Sequence, residues 1–431
     1  MWDPLPYAHA YGMSTPTFTK PRFRLPGGRP FHLLLASLAV SSCGDWLYNV
    51  ALLAFVYERT RSATWLAMTT AARVVPIVVL GPIGGVLADR WDRRRLIVAS
   101  DLSRAVTMIA LAIVAATAMP VLLAPMLAAL STAASVVQPP CVAACTPRLV
   151  SDEELQRANG ARAAIGQGSV VIGPAIGALL LGVFPPAVAI ALNAASFLAS
   201  AAAVTAIGPS PAFVPSREQG EPLQLLNELR DGAQALREAP AAVRLVAADV
   251  LCSAVYGLMT VTLVLVSMRV GTGTGGYGLL LGMFGVGGVV GAVVAGKVAT
   301  PGLWRRMLLV ALGLVAVAVA ALGLVHSLVA AIVLALAGGG GMIVAEVLSE
   351  TALGRMLDDA VLARAYGLAL PASLSGIVIG SLVAGPLVAT VGVTSTFVVA
   401  GLVVAVSSGL LLRRPLRTGA APSAVVAAPA M

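Results

Sequence analysis

Along the chain, apolar runs of about twenty residues or more alternate with short clusters rich in Arg, Asp, Gly and Pro. The runs are apolar on every helical face, so neither a surface helix nor an alternating strand accounts for them. About 20 apolar residues wound as an α-helix cross a ~30 Å hydrocarbon core with every backbone group bonded internally. The pattern predicts spans over 31–57, 63–88, 96–118, 121–145, 158–183 and 187–207, then over 243–268, 276–297, 305–325, 328–354, 363–389 and 393–412. That is an all-α membrane protein of twelve transmembrane helices. Residues 1–30, with six prolines, read as a tail rather than a cleaved signal, and 413–431 as a second tail. The polar stretch 208–242 reads as a linker. In it Leu223, Leu225, Leu226, Leu229, Ala233 and Leu236 recur at helical spacing among charged residues, which predicts an amphipathic helix along the membrane face.

Composition agrees with the pattern. Mean hydropathy is +0.93 and only 11% of residues are charged, against about 25% in a soluble domain. A soluble enzyme and a secreted disulfide scaffold are excluded. The net charge of +9 invites a nucleic-acid reading, but its placement argues for topology instead. Twenty-two Lys and Arg fall on the side of both termini, and three (Arg59, Arg61, Arg269) on the other. The positive-inside rule then places both termini in the cytoplasm of a plasma (inner) membrane. The remaining three, Arg73, Arg104 and Arg162, fall inside spans. Cys43, Cys141, Cys145 and Cys252 have no neighbouring His and read as small buried hydrophobes, so no metal and no cofactor is expected. Gly271–Gly276 spells G-x-G-x-x-G without a surrounding β-α-β unit and reads as an exterior loop. No P-loop occurs anywhere.

The chain also matches itself at one offset. Gly84–Arg90 resembles Gly291–Lys297, Arg157–Gly160 resembles Arg364–Gly367, and Ile172-Gly173 repeats as Ile379-Gly380, each 207 residues later. Two parallel six-helix halves, 31–207 and 243–412, are a transporter architecture with the cargo site between them near midplane. The sharpest local signal is Gly84-Gly85-Val86-Leu87-Ala88-Asp89-Arg90-Trp91-Asp92-Arg93-Arg94-Arg95. Its glycines permit close helix approach, and Asp89 ends a span facing an arginine cluster. A plain basic loop would explain the arginines but not the glycine-to-aspartate spacing.

This loop resembles the G-x-x-x-D-R-x-G-R-R signature of the major facilitator superfamily, with Asp92 in place of the second loop glycine. The resemblance covers all twelve spans and implies the major facilitator fold. It also implies a cytoplasmic gate at Gly85, Asp89, Arg90 and Arg94, while the second copy carries Gly296 where Asp89 stands. Gly173-Pro174 with Gly177 is similar to that superfamily's antiporter motif, G-P-x-x-G-G, with Ala178 for the last glycine, and implies export. Gly44-Asp45, Arg73–Pro76, Arg148–Val150, Arg157–Asn159 and Asn193–Phe197 are similar to the branch holding macrolide-efflux and siderophore-export proteins.

Charged residues inside spans are expensive and therefore functional candidates. Asp45 lies midway along the first span, where a carboxyl that takes and releases a proton can couple transport to the proton gradient. Arg73 is its candidate partner in a fixed ion pair instead. Glu346 and Glu350 share one face of the tenth span, suited to a cationic cargo, a second proton site, or a pair with Arg355 or Arg162. Asp249 faces the same alternatives, and Arg162 could also attract an anionic cargo. Asp101 and Arg104, at i, i+3, read as a local ion pair. The expectation is a monomeric secondary transporter, not an enzyme. Its partners are small-molecule cargo, protons and membrane lipid, with no nucleic acid, and it exports amphipathic molecules by proton antiport. Uptake by the same fold and a non-transporting sensor are the alternatives.

Overall fold

A computed structural model gives the structure of residues 26–215, 240–298, 304–356 and 359–413. The outer parts of both predicted tails and the amphipathic helix expected over 223–236 lie outside these described residues. The described chain is helical: α1 (Arg29–Thr60), α2 (Ala63–Arg90), α3 (Arg93–Ala116), α4 (Leu123–Ser135), α5 (Gln138–Leu149), α6 (Asp152–Leu181) and α7 (Pro186–Ala206). After a 3-10 turn at Pro211–Phe213 come α8 (Pro240–Arg269), α9 (Gly275–Val298), α10 (Trp304–Leu322), α11 (Leu328–Met356) and α12 (Asp359–Leu411). Among the described residues, eleven helical segments are long and apolar enough to cross a membrane, with α4 and α5 counted as one, Leu123–Leu149.

Local chemistry sets the boundaries. Proline, already lacking an N–H, starts α7 at Pro186, and the Asp92 carboxylate accepts from the Arg95 amide (2.9 Å) to cap α3. Pro139 and Pro140 follow the break between α4 and α5, where two amide donors are missing from the ladder. Inside α12, Gly392 leaves the helix with φ 80° and ψ 168°, a conformation that glycine alone adopts readily.

Early helices pack largely on early ones: α1 on α6 and α7, α3 on α7 and α4, and α2 on α4. Late helices do the same: α8 on α12, α9 on α11, and α10 on α11 and α12. The two largest contacts that join the sets are α6 with α9 and α2 with α12, with smaller ones from α1 to α8 and α9 and from α2 to α8. These joins concentrate toward one end of the bundle. There Thr274 donates to Glu58 (2.7 Å), a Cβ on Gly385 would meet Thr64 at 2.8 Å, and one on Gly278 would meet the Pro174 carbonyl at 2.8 Å. At the opposite end, Gly85, Gly160 and Gly296 have no neighbour within 4 Å of a Cβ position. Val106, Leu179 and Val310 are among the large apolar side chains left exposed, a surface for lipid rather than water.

Candidate functional site

A cavity of about 590 Å³ lies between the two sets of helices. The early helices contribute Trp46 of α1 with Gln167 and Val170 of α6. The late helices contribute most of the wall, including Tyr256, Phe284 and Cys252, and all its charge: Asp249 of α8 and Glu346 and Glu350 of α11. The spacing of the two glutamates puts both on the cavity face of α11, one turn apart. Ser373 of α12 donates a short hydrogen bond to Asp249. No Lys or Arg lines the cavity among the described residues. Three carboxyls in an aromatic and apolar wall suit a cation with a lipophilic body.

Asp45 is not in that wall. It points among the early helices, where Arg104 Nη2 donates to both its oxygens at 2.7 and 2.6 Å. Arg104 is buried, donates through Nη1 to Gln138 (3.1 Å), and lies 3.9 Å over the Phe197 ring. Two expectations are corrected here. Arg73 is not the partner of Asp45: its guanidinium donates to Asn49 and lies 5.1 Å over the Tyr48 ring. Asp101 and Arg104 are not a local ion pair: Arg104 reaches across to α1, and Asp101 accepts from Ser200 of α7 at 2.6 Å. Of the alternatives left open for Arg162, the structure shows neither a cavity position nor a pair with Glu346 or Glu350: it donates to Asn159 (3.3 Å) one turn back on α6. Neither Arg73 nor Arg162 lines the cavity.

The two glycine motifs are seated differently. Gly173 and Gly177 press α6 onto α1: a Cβ on Gly173 would stand 2.4 Å from the Trp46 Cβ, and one on Gly177 3.2 Å from the Leu47 carbonyl. Where α2 turns into α3, Asp89 pairs with Arg93 (3.7 Å), while Arg94 donates to the carbonyls of Val204 (3.2 Å) and Thr205 (2.7 Å) at the end of α7. Arg90 is exposed. Gly84 is the packed glycine, with a Cβ 2.3 Å from the Val136 carbonyl, and Gly85 meets nothing.

The profile of the family described as transmembrane secretion effector, MFS_3, matches residues 28–430. The chain belongs to this family of major facilitator transporters. It is similar to an MFS-type transporter of Bacillus subtilis, YfiS (28% identity over 58% of this chain and 56% of that one). It is also similar to macrolide efflux protein A of Streptococcus pyogenes (27% identity over 59% of this chain and 66% of that one). In both matches the chain spans less than two thirds of the relative's length. Among solved structures, a bacterial homologue of the human lysosomal transporter Spinster superposes with a TM-score of 0.74 at 13% identity, over 91% of this chain and 98% of that one. The chain thus falls in a family of major facilitator transporters, which are membrane proteins and not enzymes.

Within this transporter, hydropathy singled out Asp45, Asp249, Glu346 and Glu350, but not the split between them. Three acids surround the cavity and one is tied into the early helices. Sequence reasoning missed the Asp101–Ser200 contact, the stacking of Arg104 on Phe197, and Tyr256 and Phe284 in the cavity wall. Depth within the span was the available signal for Asp101 and Arg104. An acid and a base that deep are seldom there for a surface-style pair.

Proposed function

We propose that this transporter exports small amphipathic cations in exchange for protons, by alternating access of the cavity to the two sides of the membrane. The observation that carries the reading is the cavity itself: Asp249, Glu346 and Glu350 in one wall, aromatic rings around them, and no cationic side chain among the lining residues. The similarity to macrolide efflux protein A and the Gly173-Pro174 motif favour export. On this reading the chain crosses twelve times as two six-helix halves, with both termini cytoplasmic. The residues 369–411 would run about 65 Å as one helix, twice the hydrocarbon thickness, so the kink at Gly392 is read as the turn between two spans. The duplication is echoed in packing. Gly173 rests on Cys43–Leu47 of α1, and Gly380 on Ala254 of α8, which stands 207 residues after Leu47.

Because the halves join at one end and part at the other, the cavity is read as open on the side of Asp89 and Arg90. On that side, deprotonation of the cavity acids would admit a cation, and protonation after the cavity has turned to the other side would release it. The test is efflux of amphipathic cationic dyes and macrolides from drug-sensitive cells, with and without a protonophore. Efflux is expected to stop with the protonophore. It is expected to fall roughly ten- to hundredfold in Glu346→Gln, as removal of one charged contact of about 1.5–3 kcal/mol implies. Protonophore-resistant efflux would refute proton exchange, and dye accumulation would reverse the direction to uptake.

A further inference from the structure

Inside the early helices, away from the cavity, one guanidinium acts on two carboxyls and bonds only one of them. Arg104 gives both of its Nη2 bonds to Asp45, and its Nε is buried without a partner. Three residues earlier on the same face of α3, Asp101 is fully buried; Ser200 donates to its Oδ2, and its Oδ1 has no partner. An ionised carboxylate with an unpartnered oxygen in a dry interior is among the least favourable arrangements a helix bundle can hold. The two orphaned atoms, Arg104 Nε and Asp101 Oδ1, lie on adjacent turns of one helix.

We propose that Asp101 is a proton-binding carboxyl of the transport cycle, and that Arg104 is a switch that pairs alternately with Asp45 and Asp101. In the conformation described here Arg104 neutralises Asp45, and Asp101 holds the proton on Oδ1. When α1 shifts against α3, Arg104 turns to Asp101, the Asp101 O–H bond breaks, and an O–H bond forms on Asp45. One guanidinium, one carboxylate and one carboxylic acid are present before and after, so the interior stays neutral while the proton changes hosts. Asp45, with a third of its side chain exposed, is the member that exchanges with solvent; Asp101 is sealed.

The neighbours leave few other claimants for that proton. From α7, Asp101 faces Ser200, and that helix has no titratable side chain. Helix α4 has none either. On α5 the titratable groups are Cys141 and Cys145, packed around Ile97 a turn away, and Arg148, which donates to the Val214 carbonyl. The charged groups acting on Asp101 are Asp45 of α1 and Arg104 of its own helix.

The inference rests on the proton-exchange reading, and its test is independent of cargo. Infrared spectra of the whole transporter in lipid nanodiscs, taken across a pH titration, report the carbonyl stretch of each protonated carboxyl. The wild type is expected to show one such band that Asp101→Asn removes. Asp45→Asn, which frees Arg104 for Asp101, is expected to remove the same band. Ser200→Ala is expected to keep it and shift it to higher frequency, since the carbonyl loses a hydrogen bond. A band set untouched by Asp101→Asn would overturn the assignment. A band lost in Asp101→Asn yet unchanged in Asp45→Asn would make Asp101 a static acid and overturn the switch. Should Asp101→Asn fail to fold, the Ser200→Ala shift decides alone, and its absence overturns the proposal. Export by wild-type proteoliposomes that ignores an imposed pH gradient would instead sink the exchange reading and leave the band pattern standing.

Discussion

Arg104, itself buried, spends one nitrogen on Asp45, another on Gln138 and the flat of its guanidinium on Phe197. Removing it leaves Asp45 without its cation. Arg104→Ala is therefore expected to destabilise the bundle by about 3–5 kcal/mol, read as a lower melting temperature in detergent. Arg104→Lys should recover only part, because an ammonium carries charge but neither the planar fork nor the ring stack. A smaller contrast tests the loop motif. Gly84→Ala drives a methyl into the Val136 carbonyl and is expected to destabilise by about 1–3 kcal/mol, whereas Gly85→Ala is expected to stay within about 0.5 kcal/mol. At this scale the sequence showed which residues were out of place but not whom they meet. Hydropathy marks a charge in a span, and i, i+3 spacing marks a neighbour on the same helix. Nothing in either says that Arg104 faces α1 or that Arg73 faces Asn49, because pairing across helices depends on how each one is rotated.

The helices themselves were far more legible. A bilayer satisfies no backbone hydrogen bond, so each crossing must be a long apolar helix, and that requirement is written directly into composition. The observed segments fall where the apolar runs do, with ends displaced by several residues. They continue into polar flanks whose amides still bond internally; α6, for example, begins at Asp152 with three acids in its first turn. The joint at Gly392 was visible only as a gap of three residues between predicted spans, 389 to 393. Its backbone sits at φ 80° with open space around it, so Gly392→Ala meets no steric clash. The expected cost is the backbone alone, about 1–2 kcal/mol, and the same substitution at Gly380, where a Cβ would collide with the Ala254 carbonyl, should cost more. Thermal unfolding of the two variants side by side checks the ranking.

Across the whole molecule, the 207-residue offset pairs sequence motifs and loop charges but not the charges inside spans. The counterpart of Asp45 is Cys252, that of Arg104 is Ala311, and that of Glu346 is Pro139. The ionisable groups inside spans differ between the two sets, the early one holding the Arg104–Asp45 pair and the late one the cavity acids. That division was not readable beforehand, because the cavity is defined by which faces turn inward across both sets. The junction near Glu58 and Thr274 offers a check on the proposed motion. With Cys43, Cys141, Cys145 and Cys252 replaced, cysteines at Glu58 and Thr274 are expected to be joined by a short cleavable cross-linker. Transport should stop and return on cleavage; full activity in the joined protein would refute opening at that end.

The wall of the cavity has one more consequence. Because its charge is acid only, what crosses with each turn of the proposed exchange is set by the cargo. A monovalent cation leaving as one proton enters moves no net charge, so the pH gradient alone drives it. A neutral cargo exchanged for one proton moves a full charge inward and adds about 2.3 kcal/mol per 100 mV of membrane potential. The same carrier would thus be electrically silent for one class of compound and voltage-driven for another.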